Sequence, residues 1–99
     1  MNMQQMLMQA QKMQREMQKK QAELEQQEFT VSKGGAVTVV VQGNKSVKSV
    51  SIDKDALDPE NKEMIEEMIV MAINEAIEQI KAREEEISAS VSGGMGGLF

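Results

Sequence analysis

The sequence contains no histidine, no cysteine, no tryptophan and no tyrosine. Without cysteine there is neither a disulfide framework nor a thiolate metal site, which fits a reducing compartment. Without histidine or cysteine there is no imidazole base and no thiolate nucleophile. Serines and lysines are present, but no motif joins them into a catalytic pair. The chain is therefore not expected to be an enzyme, and no cofactor or small-molecule substrate is expected. Of the two phenylalanines, Phe29 lies in the body and Phe99 is the last residue. Any core must be built from Val, Ile, Met, Leu and Ala. That is thin for a single domain of 99 residues, and pairing with a second copy is the obvious remedy. No apolar run approaches the ~18 residues of a membrane span. The opening MNMQQMLMQAQKMQ lacks the basic segment and continuous apolar stretch of a secretory signal. A cytoplasmic location without a membrane partner is expected.

The net charge is -5, which taken alone argues against a nucleic-acid partner. Its distribution argues otherwise. Residues 1–22 carry +3, residues 23–54 are balanced, and residues 55–99 carry -8. One end is basic and the other strongly acidic, a hint of a directed surface.

Three blocks and a tail follow. From Met3 to Glu28 there is no Gly or Pro, and Met3, Ala10, Met17 and Leu24 recur at sevens with Met6 and Met13 between them. The pattern predicts a heptad-like helix, of which part projects beyond so small a core. The second block is β-rich. Phe29 and Val31 share a face; Gly34-Gly35 marks a turn; Val37, Val39 and Val41 alternate; Gly43-Asn44 signals a hairpin; Val50 and Ile52 lie on a returning strand. Val40 adds an apolar side chain to the opposite face, so both faces of the sheet are expected to be partly covered. The third block opens on Asp58-Pro59-Glu60, a capping residue, a helix-starting proline and a dipole-complementing acid. Ile65, Ile69, Ala72, Ile73, Ala76, Ile77 and Ile80 then line one helical face, widened by Met64, Met68 and Met71, and this helix is expected to reach Ile87. The order predicts an α+β fold, α-β-β-β-α, in one domain spanning 1–87, with a flexible Ser/Gly-rich tail over 88–99.

The first helix holds the best candidate site. At ~100° per residue, Lys12, Arg15 and Lys19 fall within roughly 60° of one another, opposite the methionine stripe. Lys20 sits nearer the stripe's edge. Cations repeating along a helix can each neutralise a phosphate, although the same spacing also describes an ordinary solvated face. The methionine stripe has two readings as well: a packing seam within a dimer, or an adaptable surface for a protein partner. Glu84, Glu85 and Glu86 spread around a helix rather than converging on an ion, so no metal site is read there. Their acidity at the expected helix C-terminus is unfavourable to the dipole. Gly34-Gly35 has no following Gly-Lys-Ser/Thr, and neither it nor GGMGG forms a nucleotide loop.

The whole chain resembles the YbaB/EbfC family of nucleoid-associated proteins. The resemblance rests on the first helix MQQMLMQAQKMQREMQKKQAEL, on GGAVTVVVQGN, on the strand Val47 to Asp53, on EEMIVMAINEAIEQI and on the tail GGMGGLF. It implies an antiparallel sheet between a long N-terminal helix and a C-terminal helix, and a tweezer-like homodimer. It also implies binding of double-stranded DNA with weak sequence preference, in nucleoid organisation or gene regulation. DNA contacts are then expected on the first helix, where charge and position select Lys12, Arg15, Lys19 and Lys20. The acidity of the second helix leaves affinity resting on the first. The alternative is a chaperone-like interaction module that uses its Met-lined helices.

Overall fold

The computed structural model describes the backbone of residues 2–96 and the side chains of residues 2–90. Helix α1 spans Met3–Gln26, and three strands follow: β1 (Glu28–Lys33), β2 (Val37–Gln42) and β3 (Val47–Ile52). Two single 3-10 turns, Lys54–Ala56 and Pro59–Asn61, lead into α2 (Lys62–Gly96). This is the expected α+β order.

Helix α1 starts at Asn2, whose side-chain oxygen accepts from the Gln5 amide at 2.7 Å. The run to Gln26 meets no helix breaker. At Gln27 the backbone turns extended, its N–H still donating to the Leu24 carbonyl at 3.0 Å. Twenty-four residues make a helix about 36 Å long.

The sheet is antiparallel in the order β1-β2-β3. Phe29 faces Val41 and Val31 faces Val39; on the other side Val37 faces Ile52 and Val39 faces Val50. Alternation along β2 therefore gathers these side chains on one face, and Val37, Val39 and Val41 are almost completely buried. Gly34 and Gly35 both have left-handed backbones, and the Ala36 amide closes on the Lys33 carbonyl at 3.0 Å. Two left-handed central residues make a type I′ turn, which suits the twist of the flanking strands and favours glycine. The β2–β3 connection uses a different residue from the one expected. Gln42 pairs with Ser46, Lys45 closes on Gln42, and Lys45 takes the left-handed conformation. Gly43 instead serves a close approach: its amide donates to the Gln27 carbonyl at 2.9 Å, and a Cβ there would lie 1.7 Å from the Leu24 carbonyl oxygen.

Asp58 caps as expected, accepting from the Glu60 amide at 2.9 Å. What it caps is the 3-10 turn that winds into α2. Ile65, Ala72, Ala76 and Ile80 are buried along one stripe, with Met68, Ile69 and Ile73 beside them. Fully buried alanines at 72 and 76 let the helix backbone settle close to the strands. Helix α2 lies across β1 and β2 and leaves β3 largely uncovered, with Val47 and Val50 at 47% and 42% exposure. Val40, on the face away from α2, is only partly buried.

Two sequence-based boundaries shift. Helix α2 does not end near Ile87 but remains helical to Gly96. Ser90 caps back onto the Ile87 carbonyl at 2.9 Å and receives the Lys20 ammonium at 3.1 Å, so the serine stretch is tied into the helix. The tail expected over 88–99 is therefore helical through Gly96, and its last three residues lie outside the described residues. Glu84 to Glu86 consequently stand within α2 rather than at its C-terminus, which removes the conflict with the helix dipole. The second shift concerns the α1 stripe. Leu24 is buried between the hairpin tip at Gly43 and the Arg83–Ile87 segment of the same chain's α2. The proximal seam is thus intrachain. The result is a sheet-based body and an antiparallel two-helix arm, measuring 69 × 21 × 14 Å together.

Candidate nucleic-acid interface

The arm positions the four selected cations, and all four are exposed. Lys12, Arg15 and Lys19 occupy the outer face of α1, away from the side that Leu24 turns towards α2. From Lys12 to Lys19 the helix rises about 10.5 Å, so the trio forms a short row of charge along one face. Lys20 does not join it. Its ammonium points into the α1–α2 groove, where Arg83, Glu23, Glu86, Ile87 and Ser90 also lie. Arg83 is the residue that sequence reading missed: it becomes a neighbour of Lys20 only when α2 folds back along α1.

Ion pairing separates the α1 cations from most of the others. Lys33 pairs with Glu75 at 2.5 Å, Lys45 with Glu84 at 3.2 Å, Lys62 with Glu66 at 3.6 Å and Lys81 with Glu78 at 3.6 Å. Arg83 pairs with Glu86 at 3.7 Å, and Lys48 with Glu28 across the strands. Among the described residues, none of Lys12, Arg15, Lys19 and Lys20 has a carboxylate within 4.0 Å; outside α1, only Lys54 shares that condition. Arg15 makes one long contact, from Nε to the Gln11 carbonyl at 3.4 Å, which leaves its terminal nitrogens available. These exposed pairs contribute little to stability. Their effect is to neutralise the cations locally, except along α1 and at Lys54.

Among the described residues no group of three or more acidic, His or Cys side chains is arranged to hold a metal ion. Glu84 and Glu86 diverge to Lys45 and Arg83 respectively. No polar or charged residue among those described is buried, and no described helix is long and apolar enough to cross a membrane.

A sheet-based body that presents its uncancelled cations on a projecting helical arm is the build of a protein that binds a polyanion along its backbone. The chain belongs to the YbaB/EbfC DNA-binding family, which its sequence matches over residues 1–95. It is 51% identical over 102 residues to a nucleoid-associated protein of Clostridium botulinum (strain Eklund 17B / Type B), covering 99% of this chain and 88% of that one. Similarity to a nucleoid-associated protein of Caldicellulosiruptor bescii is 50% over 100 residues, with 99% and 88% covered. For that of Malacoplasma penetrans it is 46% over 88 residues, with 89% and 94% covered.

Proposed function

We propose that this chain is a nucleoid-associated protein that works as a homodimer, holding double-stranded DNA through backbone phosphates with weak sequence preference. Its place is the nucleoid of the cytoplasm, where it contributes to nucleoid organisation or gene regulation, and no catalytic step is assigned to it. The observation that carries this reading is the unpaired state of the α1 cations against the pairing of almost all others. Family membership and the names of its relatives support the DNA partner.

The homodimer is supported by apolar surface that the single chain leaves in water. Leu57, Met64, Val70 and Met71 are 63%, 41%, 58% and 55% exposed, and β3 offers an unpaired edge beside Val47 and Val50. Large apolar side chains left in water beside an unpaired strand edge suit association with a second copy. Two arms double the outer-face cations.

A gel-shift titration across salt concentrations tests the reading. Six phosphate contacts per dimer give a log–log slope of about -5, so affinity falls about 10³-fold between 50 and 200 mM salt. Replacing Lys12, Arg15 and Lys19 together by alanine flattens that slope and weakens binding across all sequences. Lys54→Ala, which removes an unpaired cation outside the arm, leaves the slope unchanged. Binding that ignores salt, or a triple variant that binds as the parent does, refutes the assignment.

A further inference from the structure

We propose that the N-terminal end of α1, around Met3, Met6, Leu7 and Ala10, is a seat for the same segment of a second copy. This pairing turns the Lys12–Arg15–Lys19 rows of the two helices to opposite outer sides, each open to its own duplex. The seat rests on the homodimer reading above and the placement of duplexes on the DNA-binding reading; the pairing itself needs no DNA.

The segment is a formed helix. Asn2 caps it: its side-chain oxygen accepts from the Gln5 amide at 2.7 Å and its carbonyl from the Met6 amide at 3.1 Å. At about 100° per residue, Met3, Met6, Leu7 and Ala10 fall within an arc of about 100°. The single chain leaves that arc in water. Met3, Met6 and Leu7 are 85%, 52% and 59% exposed, and Ala10 is exposed as well. Leu24, on the same heptad stripe, is buried between the hairpin tip and α2. One stripe is thus covered at its base and open at its tip.

Spacing and charge identify the occupant. Apolar residues that repeat as a heptad seat a helix carrying the same repeat, and every copy of this chain supplies one. Methionine side chains adapt to such a contact. Residues 2–11 carry no charged side chain, so two such ends meet without repulsion and offer no charge by which a charged partner would be chosen. Charge begins at Lys12. Lys12, Arg15 and Lys19 point about 180° from the centre of the apolar arc. Helices joined arc to arc therefore hold their cation rows outward, one on each side of the pair. A duplex clasped between the arms would meet the apolar faces; duplexes on the outside meet the cations. So few residues make a weak contact between free copies. Joined through their bodies, two ends meet at an effective concentration on the order of 1 mM. In a two-fold dimer such a contact is isologous, so positions on the arc face one another.

The chain has no cysteine, so single cysteines report the contact cleanly. Ala10→Cys lies at the centre of the arc and Met8→Cys on the cation side, and both sites are exposed. With a short thiol–thiol cross-linker and no DNA, the Ala10→Cys protein is expected to join about tenfold faster than the Met8→Cys protein, at a rate independent of protein concentration. Adding Met6→Gln and Leu7→Gln keeps helix propensity and is expected to bring the Ala10→Cys rate down to that of Met8→Cys, with helicity and the dimer mass by light scattering unchanged. The cross-linked protein is expected to bind duplex as the parent does and to carry a labelled duplex onto beads bearing a second one. Equal rates for the two cysteines in a protein of dimer mass overturn the seat; a monomer mass overturns it together with the homodimer reading. Loss of duplex affinity on cross-linking places DNA between the arms and overturns the outward placement, as does a closed form that holds one duplex and never joins two. Cross-linking at Ala10→Cys in a protein that binds no duplex in any form supports the seat and refutes the DNA reading instead.

Discussion

Gly43→Ala is expected to undo the joint between the arm and the body. The new Cβ would sit 1.7 Å from the Leu24 carbonyl oxygen, 2.6 Å from its carbon and 3.2 Å from the Glu25 nitrogen. All three are backbone atoms at the end of α1, so no side chain can swing aside. Relief requires the last turn of α1 to lift from the hairpin tip. Lifting breaks the hydrogen bond from Gly43 to Gln27, worth about 1 kcal/mol. It also exposes Leu24, now 5% accessible, at about 2 kcal/mol. The loss of about 3 kcal/mol is a large part of the 5–15 kcal/mol typical of a domain. Urea unfolding measures it, at fixed protein concentration because association alters apparent stability. Amide exchange over residues 20–27 should accelerate in parallel. Gly35→Ala is the control: its backbone is left-handed at φ +66 but nothing lies within 4 Å of the added carbon, so only about 1 kcal/mol is lost. A Gly43→Ala protein no less stable than Gly35→Ala would refute the close-approach argument.

Three further outcomes follow from the same geometry. Ile80 is fully buried under the sheet, so Ile80→Ala should cost about 2–5 kcal/mol in denaturant unfolding; a cost below about 1 kcal/mol would mean that α2 is not anchored there. Lys45 holds a left-handed backbone at φ 69, so Lys45→Gly should match or exceed the parent in stability despite losing an exposed ion pair with Glu84, whereas Lys45→Val should lose about 1–2 kcal/mol; equal stabilities would deny the strain. Asp55, Glu60 and Glu63 make no ion pair among the described residues and lie at the far end of α2, about 40 Å by helix rise from Ser90. Neutralising all three as amides should leave duplex affinity nearly unchanged at 0.15 M salt, where screening acts over about 8 Å, and raise it at 0.01 M, where the length is about 30 Å. A large change at the higher salt would place DNA against that end.

The elements were legible in the sequence because each repeats a local period. Val37, Val39 and Val41 could only alternate across a sheet, and the isoleucines from Ile65 to Ile80 could only form one helical face. The heptad of α1 was equally plain, but not what it faces. Its seam partner is the segment of α2 beyond Gln79, separated from Leu24 by the whole sheet in sequence. The reach of α2 past Ile87 was hidden for the same reason. Serine and glycine weaken a helix locally, and the contact from Lys20 to Ser90 that opposes this is tertiary. Gly43 read as a turn residue because glycine usually is one, while its actual constraint comes from a backbone that no local pattern reveals. For the candidate site, spacing placed Lys12, Arg15 and Lys19 on one face and Lys20 at its margin. It could not reveal that the remaining cations, except Lys54, are paired with acids, nor bring Arg83 to Lys20.

That pairing accounts for how a chain of net charge -5 can present a grip for a polyanion. Net charge governs behaviour at distances beyond the screening length, where contributions sum; contact with phosphates is decided within a few ångströms, where the arrangement of individual charges dominates. Six acids are held beside cations on the sheet and on α2, and each such pair is nearly neutral to a strand approaching closely. The uncancelled acids at the start of α2 stand far from the arm, and on the proposed reading they disfavour DNA against the body. The cations of α1 then attract it to the projecting helix, where none of them has a carboxylate within 4.0 Å, although Glu16 shares their face. On that reading the acids at the start of α2 steer DNA towards the arm, while Glu16, Glu23, Glu25 and Glu85 on the arm subtract from the pull of its cations.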